Sequence, residues 1–229
     1  MQIFYFSPSV LPSTSANSIH VFNQSKAYIR NGHSVTLYIL RPAFSTKSLS
    51  SKIEVKYGEI PSNLRIVSFY NPFPFADNVL LALYSFFHFV FSPKSHYICH
   101  SRNLYLSVIL SLFRFSQFYE THYIEFGIRS KFQRYLLSLR TAIPIFISNS
   151  LKTILEDLFK NTYSNSLVLH DSAPPCSSEQ YPLDEKRRLL KNFFNDLSLY
   201  LPHSSHYCGY FGQLYRGRGI DVIMDLATR

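Results

Sequence analysis

The sequence predicts an α/β fold built on a doubly wound parallel sheet, with the start of a second domain behind it. Three observations point there. Apolar runs of strand length alternate with segments of helical period along the first three-quarters of the chain. The loops between them carry caps and breakers at both ends of the helical segments. Strands separated by helices pair in parallel, because the crossover returns the chain to the same end of the sheet.

"IFYFS" (3–7) reads as a buried first strand running into the Pro/Ser loop "SPSVLPSTS". In "ANSIHVFNQSKAYIRNGH" (16–33), Ile19, Phe22 and Ile29 fall at helical spacing with the stem of Lys26 between them, and Asn31-Gly32 is a stop. "SVTLYIL" (34–40) is the next strand, which completes a strand–helix–strand unit. "RIVSF" (65–69) is strand-like and residues 78–92 are helix-like. "HYICH" (96–100) is a strand, and "NLYLSVILSLF" (103–113) is apolar nearly all round, as in a packed helix. "SQFYE" (116–120) and "PIFIS" (144–148) are strands. "NSLKTILEDLF" places Leu151, Ile154, Leu155 and Leu158 on one face, with Asn149 or Ser150 as cap. "SLVLH" (166–170) closes the set.

Composition then changes. "DSAPPCSSEQYP" (171–182) reads as a linker, a helix follows from Leu183, and "SHYCGYFG" (205–212) is a new strand. The expected organisation is one domain at 1–175, a linker and helix at 176–205, and the start of a second domain at 206–229.

Charge is unevenly spread. Residues 1–150 hold 14 Lys and Arg against 5 Asp and Glu, whereas residues 151–229 hold 9 of each. A basic first part favours an anionic partner, and also serves simply to keep a protein soluble. The 21 Phe and 17 Tyr lie mostly inside apolar strand and helix patterns, which reads as core and argues against nucleic-acid binding by stacking. Cys99, Cys176 and Cys208 have no zinc-site spacing and fit a reduced, cytoplasmic setting. "MQIFYFSPS" lacks the features of a signal peptide. The longest apolar run, 78–92, falls short of the roughly 20 residues that span a bilayer.

Candidate site residues cluster at the carboxyl ends of strands, where open α/β sheets bind ligands. "STSANSIH" (13–20) follows the first strand; its small residues let a ligand approach a helix start, and equally suit an ordinary capped helix. It lacks the dinucleotide glycine fingerprint. Arg102 in "CHSRN" can reach an anion, and "YETH" sets Glu120 and His122 at the same rim as Asn17. "GIRSKFQRYLLSLR" (127–140) aligns Ile128, Phe132, Tyr135, Leu136 and Leu139, with Arg129, Lys131, Arg134 and Arg140 largely outside that stripe. Such a helix suits an anionic membrane surface or an ordinary solvated face. In "GQLYRGRG", glycines before a helix start, with Arg216 or Arg218, suit a diphosphate.

In this order the segments resemble the family 4 glycosyltransferases of the GT-B fold. "SANSIHVFNQSKAYIRNGHSVTLY" is similar to that family's N-terminal segment, and "YETH", "IFISNSLKTIL", "LVLHDSA" and "GYFGQLYRGRGIDVIMDLA" match its later landmarks. The resemblance implies an acceptor-side domain followed by a donor-binding domain of which 206–229 carry only the first strand and helix. It implies a retaining transfer from a nucleotide-diphosphate sugar to a glycan or lipid-linked acceptor, without metal or cofactor. With the family's acidic motif beyond Arg229, it implies inactivity of residues 1–229 alone. It places His122 near the reacting sugar. Asn17, Arg102 and Glu120 fall to the acceptor side, and Ala16, Gly212, Gln213 and Arg218 to the donor phosphates. Gln213 stands where many members have arginine, and Ala16 and Asn17 where many have paired glycines. The expected location is the cytoplasm, peripheral on the inner face of the membrane.

Overall fold

The computed structural model describes residues 1–41, 48–70, 77–92, 96–170 and residue 188. The chain divides into two units, Met1–Pro174 and Pro175–Arg229. The linker, the helix after it, the strand at 205–212 and the candidates Gly212, Gln213 and Arg218 lie outside the described residues.

Among the described residues of the first unit seven strands alternate with six helices: β1 (Gln2–Val10), α1 (Ala16–Arg30), β2 (Ser34–Leu40), α2 (Leu49–Tyr57), β3 (Leu64–Phe69), α3 (Asp77–Phe91), β4 (Tyr97–Ser101), α4 (Leu104–Leu112), β5 (Gln117–Thr121), α5 (Ile128–Ser138), β6 (Ala142–Phe146), α6 (Asn149–Phe159) and β7 (Leu167–Val168). The strands form one sheet in the order β3-β2-β1-β4-β5-β6-β7, and every pairing is parallel. The fold is therefore the Rossmann-like, doubly wound α/β class that the alternation predicts. The chain adds β2 and β3 on one side of β1, then returns to add β4 on the other. The switch point lies between β1 and β4.

Alternation along β1 builds two separate cores. Ile3 and Tyr5 face Val21 and Phe22 of α1 and Ile53 of α2. Phe4 and Phe6 face Ala82, Phe86 and Phe89 of α3 and Leu106 and Leu110 of α4. The second layer is largely aromatic: Phe4 meets Phe89 edge-on at 5.0 Å, and Phe6 stacks on Tyr38 at 4.6 Å. A third cluster joins Tyr119 and Phe146 to Leu136 and Leu137 of α5 and Leu151 and Leu155 of α6.

Several local expectations are corrected. β1 runs on through Pro8, where a loop is expected; the register shifts between Phe6 and Val10, and at such an irregularity the missing proline N–H breaks no ladder. Ile19 points outward at 42% exposure. The inner face of α1 is Ser18, Val21, Phe22 and Ser25. Its serines satisfy themselves locally, Ser18 Oγ donating to Val10 O at 2.8 Å and Ser25 Oγ to Val21 O at 2.9 Å, so small polar groups take core positions. In α5, Leu136 is buried as expected, but Ile128 (68% exposed) and Tyr135 face outward, while Gln133 and Leu137 face inward. α6 is capped by Ser148, whose side chain accepts from Leu151 N at 3.1 Å, rather than by Asn149 or Ser150. β7 is two residues long rather than five. The apolar pattern gives no sign of α2, which is anchored by one buried residue, Ile53.

Truncation of Phe4 removes a ring packed on all sides. Phe4→Ala should cost about 3–5 kcal/mol in urea unfolding, whereas Phe87→Ala, at a position 56% exposed, should stay within about 0.5 kcal/mol.

Candidate functional site

The carboxyl ends of β1, β4 and β5 open onto a pocket of about 310 Å³. It is lined by Asn17, Arg102, Glu120 and His122, together with Pro8 and residues of the 119–125 segment. Sheets of this type hold their ligands at such a switch point, where neighbouring loops diverge to opposite sides. Four residues singled out in the sequence, Asn17, Arg102, Glu120 and His122, thus share one wall. Ala16, the first residue of α1, is exposed and does not line the pocket.

Each side chain is delivered by a short, well-tied segment. Arg102 leaves β4 with its backbone N–H on Phe6 O at 2.9 Å, and Asn103 then caps α4, its Oδ1 accepting from Leu106 N at 3.1 Å. Ser15 caps α1, and Asn17 Nδ2 donates to Ser9 Oγ at 2.7 Å, which ties the helix start to the end of β1. After β5 the chain is held by the fully buried amide of Gln133. Its Nε2 donates to Thr121 Oγ1 at 2.9 Å and Tyr123 O at 3.0 Å, and its Oε1 accepts from Glu125 N at 3.0 Å. Arg129 Nη2 reaches Glu125 Oε1 at 2.8 Å and the Tyr123 hydroxyl at 3.2 Å.

At the centre is Glu120, only 4% exposed. His122 Nε2 lies 2.5 Å from its Oε1 and His100 Nε2 lies 2.9 Å from its Oε2. Arg102 Nε stands 3.5 Å from Oε1, and His20 Nε2 3.9 Å from the same oxygen. Burial by itself would raise the carboxyl pKa. The hydrogen bonds from His100 and His122, with the Arg102 charge, outweigh it and hold Glu120 ionised far below the usual carboxylate range. Arg102 also turns Nη2 to His122 Nδ1 at 3.3 Å. Guanidinium only donates, so Nδ1 is the accepting nitrogen and Nε2 carries the proton given to Glu120.

His100 and His20 are the site residues that the sequence reading misses. His100 sits inside an apolar strand and looks like core; the available signal is that parallel register pairs it with Phe118, putting it on the same sheet face as Glu120 two residues on. Among the described residues no three His, Cys, Asp or Glu side chains are arranged to hold a metal ion. No family model and no curated protein matches the chain.

The depressed Glu120 pKa carries a sign. Its stabilisation is complete above the ordinary glutamate value near 4.3 and drains away as the pH falls below it, because the unfolded chain then takes up the proton first. Urea midpoints measured from neutral to acid pH should fall on that limb. Glu120→Gln should cost about 3–5 kcal/mol at neutral pH and flatten the acid limb.

Proposed function

We propose that the chain carries the acceptor side of a retaining glycosyltransferase that moves a sugar from a nucleotide-diphosphate sugar to a glycan or lipid-linked acceptor. One observation carries the reading: His122, Arg102 and Asn17 meet beside an ionised, buried Glu120 in a pocket at the switch point of a parallel sheet. The motif order supports it from the sequence side. A pocket of about 310 Å³ is at the lower end of the range of small-molecule sites, roughly 300–1,000 Å³.

In this reading His122 meets a hydroxyl of the sugar, and Glu120 holds the imidazole in place. Arg102 and Asn17 lie toward the acceptor. On the donor phosphates the resemblance sets Arg218, Gln213, Gly212 and Ala16. The intact gene product, given sugar-labelled nucleotide-diphosphate donors and a membrane-lipid extract, should release or transfer label. His122→Ala should reduce that by roughly 100-fold or more. Failure to turn over any donor overturns the proposal.

A second reading is docking on an anionic lipid surface. Residues 78–119 contain no Asp or Glu, and α3 exposes Val79, Leu83, Phe87 and Phe91 at successive fourth positions. No described helix is long and apolar enough to cross a membrane, so such contact would be made from the surface. The chain should then float with vesicles rich in anionic lipid and not with neutral ones, and the Phe87→Glu/Phe91→Glu pair should abolish flotation. Equal flotation with neutral vesicles, or none at all, removes this reading.

A further inference from the structure

A chain of hydrogen bonds and one ion-pair contact, that between His100 and Glu120, leads from the α1 side of the sheet to His122. The Tyr5 hydroxyl donates to Gln24 Oε1 at 2.6 Å, and Gln24 Nε2 donates to the Tyr28 hydroxyl at 3.2 Å. The Tyr28 hydroxyl lies 2.8 Å from His100 Nδ1, and His100 Nε2 lies 2.9 Å from Glu120 Oε2. The other carboxylate oxygen meets His122 Nε2. The ring of His100 is fixed on its flat side by stacking on Tyr5, with centroids 4.6 Å apart.

The chain runs in one direction only. An amide has a donor end and an acceptor end, and the NH₂ of Gln24 gives the Tyr28 oxygen a proton to accept. Tyr28 then spends its own proton on His100 Nδ1. That leaves the His100 proton on Nε2, facing a carboxylate that can only accept. If the Gln24 amide were turned over, its oxygen would take the Tyr28 proton and Nδ1 of His100 would have to donate. A bare Nε2 would then face Glu120 Oε2 in a buried site, acceptor against acceptor. The orientation of one amide on α1 and the tautomer of His100 are therefore coupled. Both tyrosines are kept as donors: burial pushes Tyr5 well above its ordinary range, and burial together with the Glu120 charge pushes Tyr28 up to about 12.

We propose that His100 is a positioning residue for His122: through the shared carboxylate of Glu120, the Tyr5–Gln24–Tyr28–His100 relay acts with the Arg102 guanidinium at Nδ1 to hold His122 as the single Nε2–H tautomer. A carboxylate with one imidazole on each oxygen cannot rotate without breaking both contacts. What His122 does with Nδ1 rests on the glycosyltransferase reading; the relay does not.

Spectra of the protein labelled with 15N-histidine report the tautomer of each ring without any sugar donor present. In mildly alkaline buffer the wild type should show both His100 and His122 as Nε2–H. Gln24→Leu and Tyr28→Phe, both at half-buried positions, should give mixed tautomers at His100 and loss of the single form at His122. His100→Leu should do so more strongly, and His100→Gln, which keeps an N–H toward the carboxylate, should restore the His122 signature. If His122 keeps its wild-type pattern in Gln24→Leu and Tyr28→Phe, the inference is overturned, whether or not His100→Leu folds. That result is separate from the transfer assay, which can fail while the relay holds or succeed without it.

Discussion

A negative charge that is taken out of water must be met by donors on every side, and Glu120 is such a charge. The groups around it come from separate parts of the chain: His100 and Arg102 from the end of β4, His122 from the turn after β5, and His20, at ion-pair distance, from α1. Parallel register is what brings them together. β1 pairs with β4 from Gln2–Tyr97 to Phe6–Ser101, and β4 pairs with β5 from Cys99 to Ser101. The compensation of Glu120 is thus complete only when three strands are in place. The electrostatics of the site and the order of the sheet are one constraint.

The same sheet divides its labour between two faces. β1 sends Phe4 and Phe6 into a dry aromatic layer beneath α3 and α4. It sends Tyr5 to the other side, where the ring packs in the core and the hydroxyl starts the polar chain to Glu120. Tyrosine suits that position because its body is apolar and its tip is a donor. The abundance of Phe and Tyr is therefore spent mainly on cores, and one of its members also serves the site. On the Glu120 side, polar groups are tolerated in the interior because hydrogen bonds and ion-pair contacts link Tyr5, Gln24, Tyr28, His100 and Glu120 in series.

The sheet was legible in the sequence because buried parallel strands are short, nearly continuous apolar runs between helical segments. Helix faces were less so. A count of apolar residues sets Ile19 and Tyr135 inside, while the structure sets Ser18, Ser25 and Gln133 there instead. Those three bury because each hydrogen-bonds close by, information that hydropathy does not contain. Arg102, Glu120 and His122 could be found since polar residues at strand ends stand out against apolar runs. His100 could not, since it lies within an apolar strand, and Tyr28 and Gln24 could not, since they lie mid-helix in α1, away from any strand end. Tyr28 and His100 are 72 residues apart, and only the folded sheet makes them neighbours.

The two contacts of His122 are unequal, and the inequality says how the pocket can engage it. The bond from Nε2 runs to an ionised carboxylate and is charge-assisted, the stronger class. The contact at Nδ1 is a 3.3 Å approach from Arg102 Nη2 to a neutral ring nitrogen. Arg102 keeps its Nε beside Glu120 at 3.5 Å independently of that contact. A hydroxyl competing for His122 meets least resistance at Nδ1, where it displaces one donor. Nothing in that exchange disturbs the compensation of Glu120. The carboxylate therefore acts as the fixed point of the site, and the guanidinium tip as the part that yields.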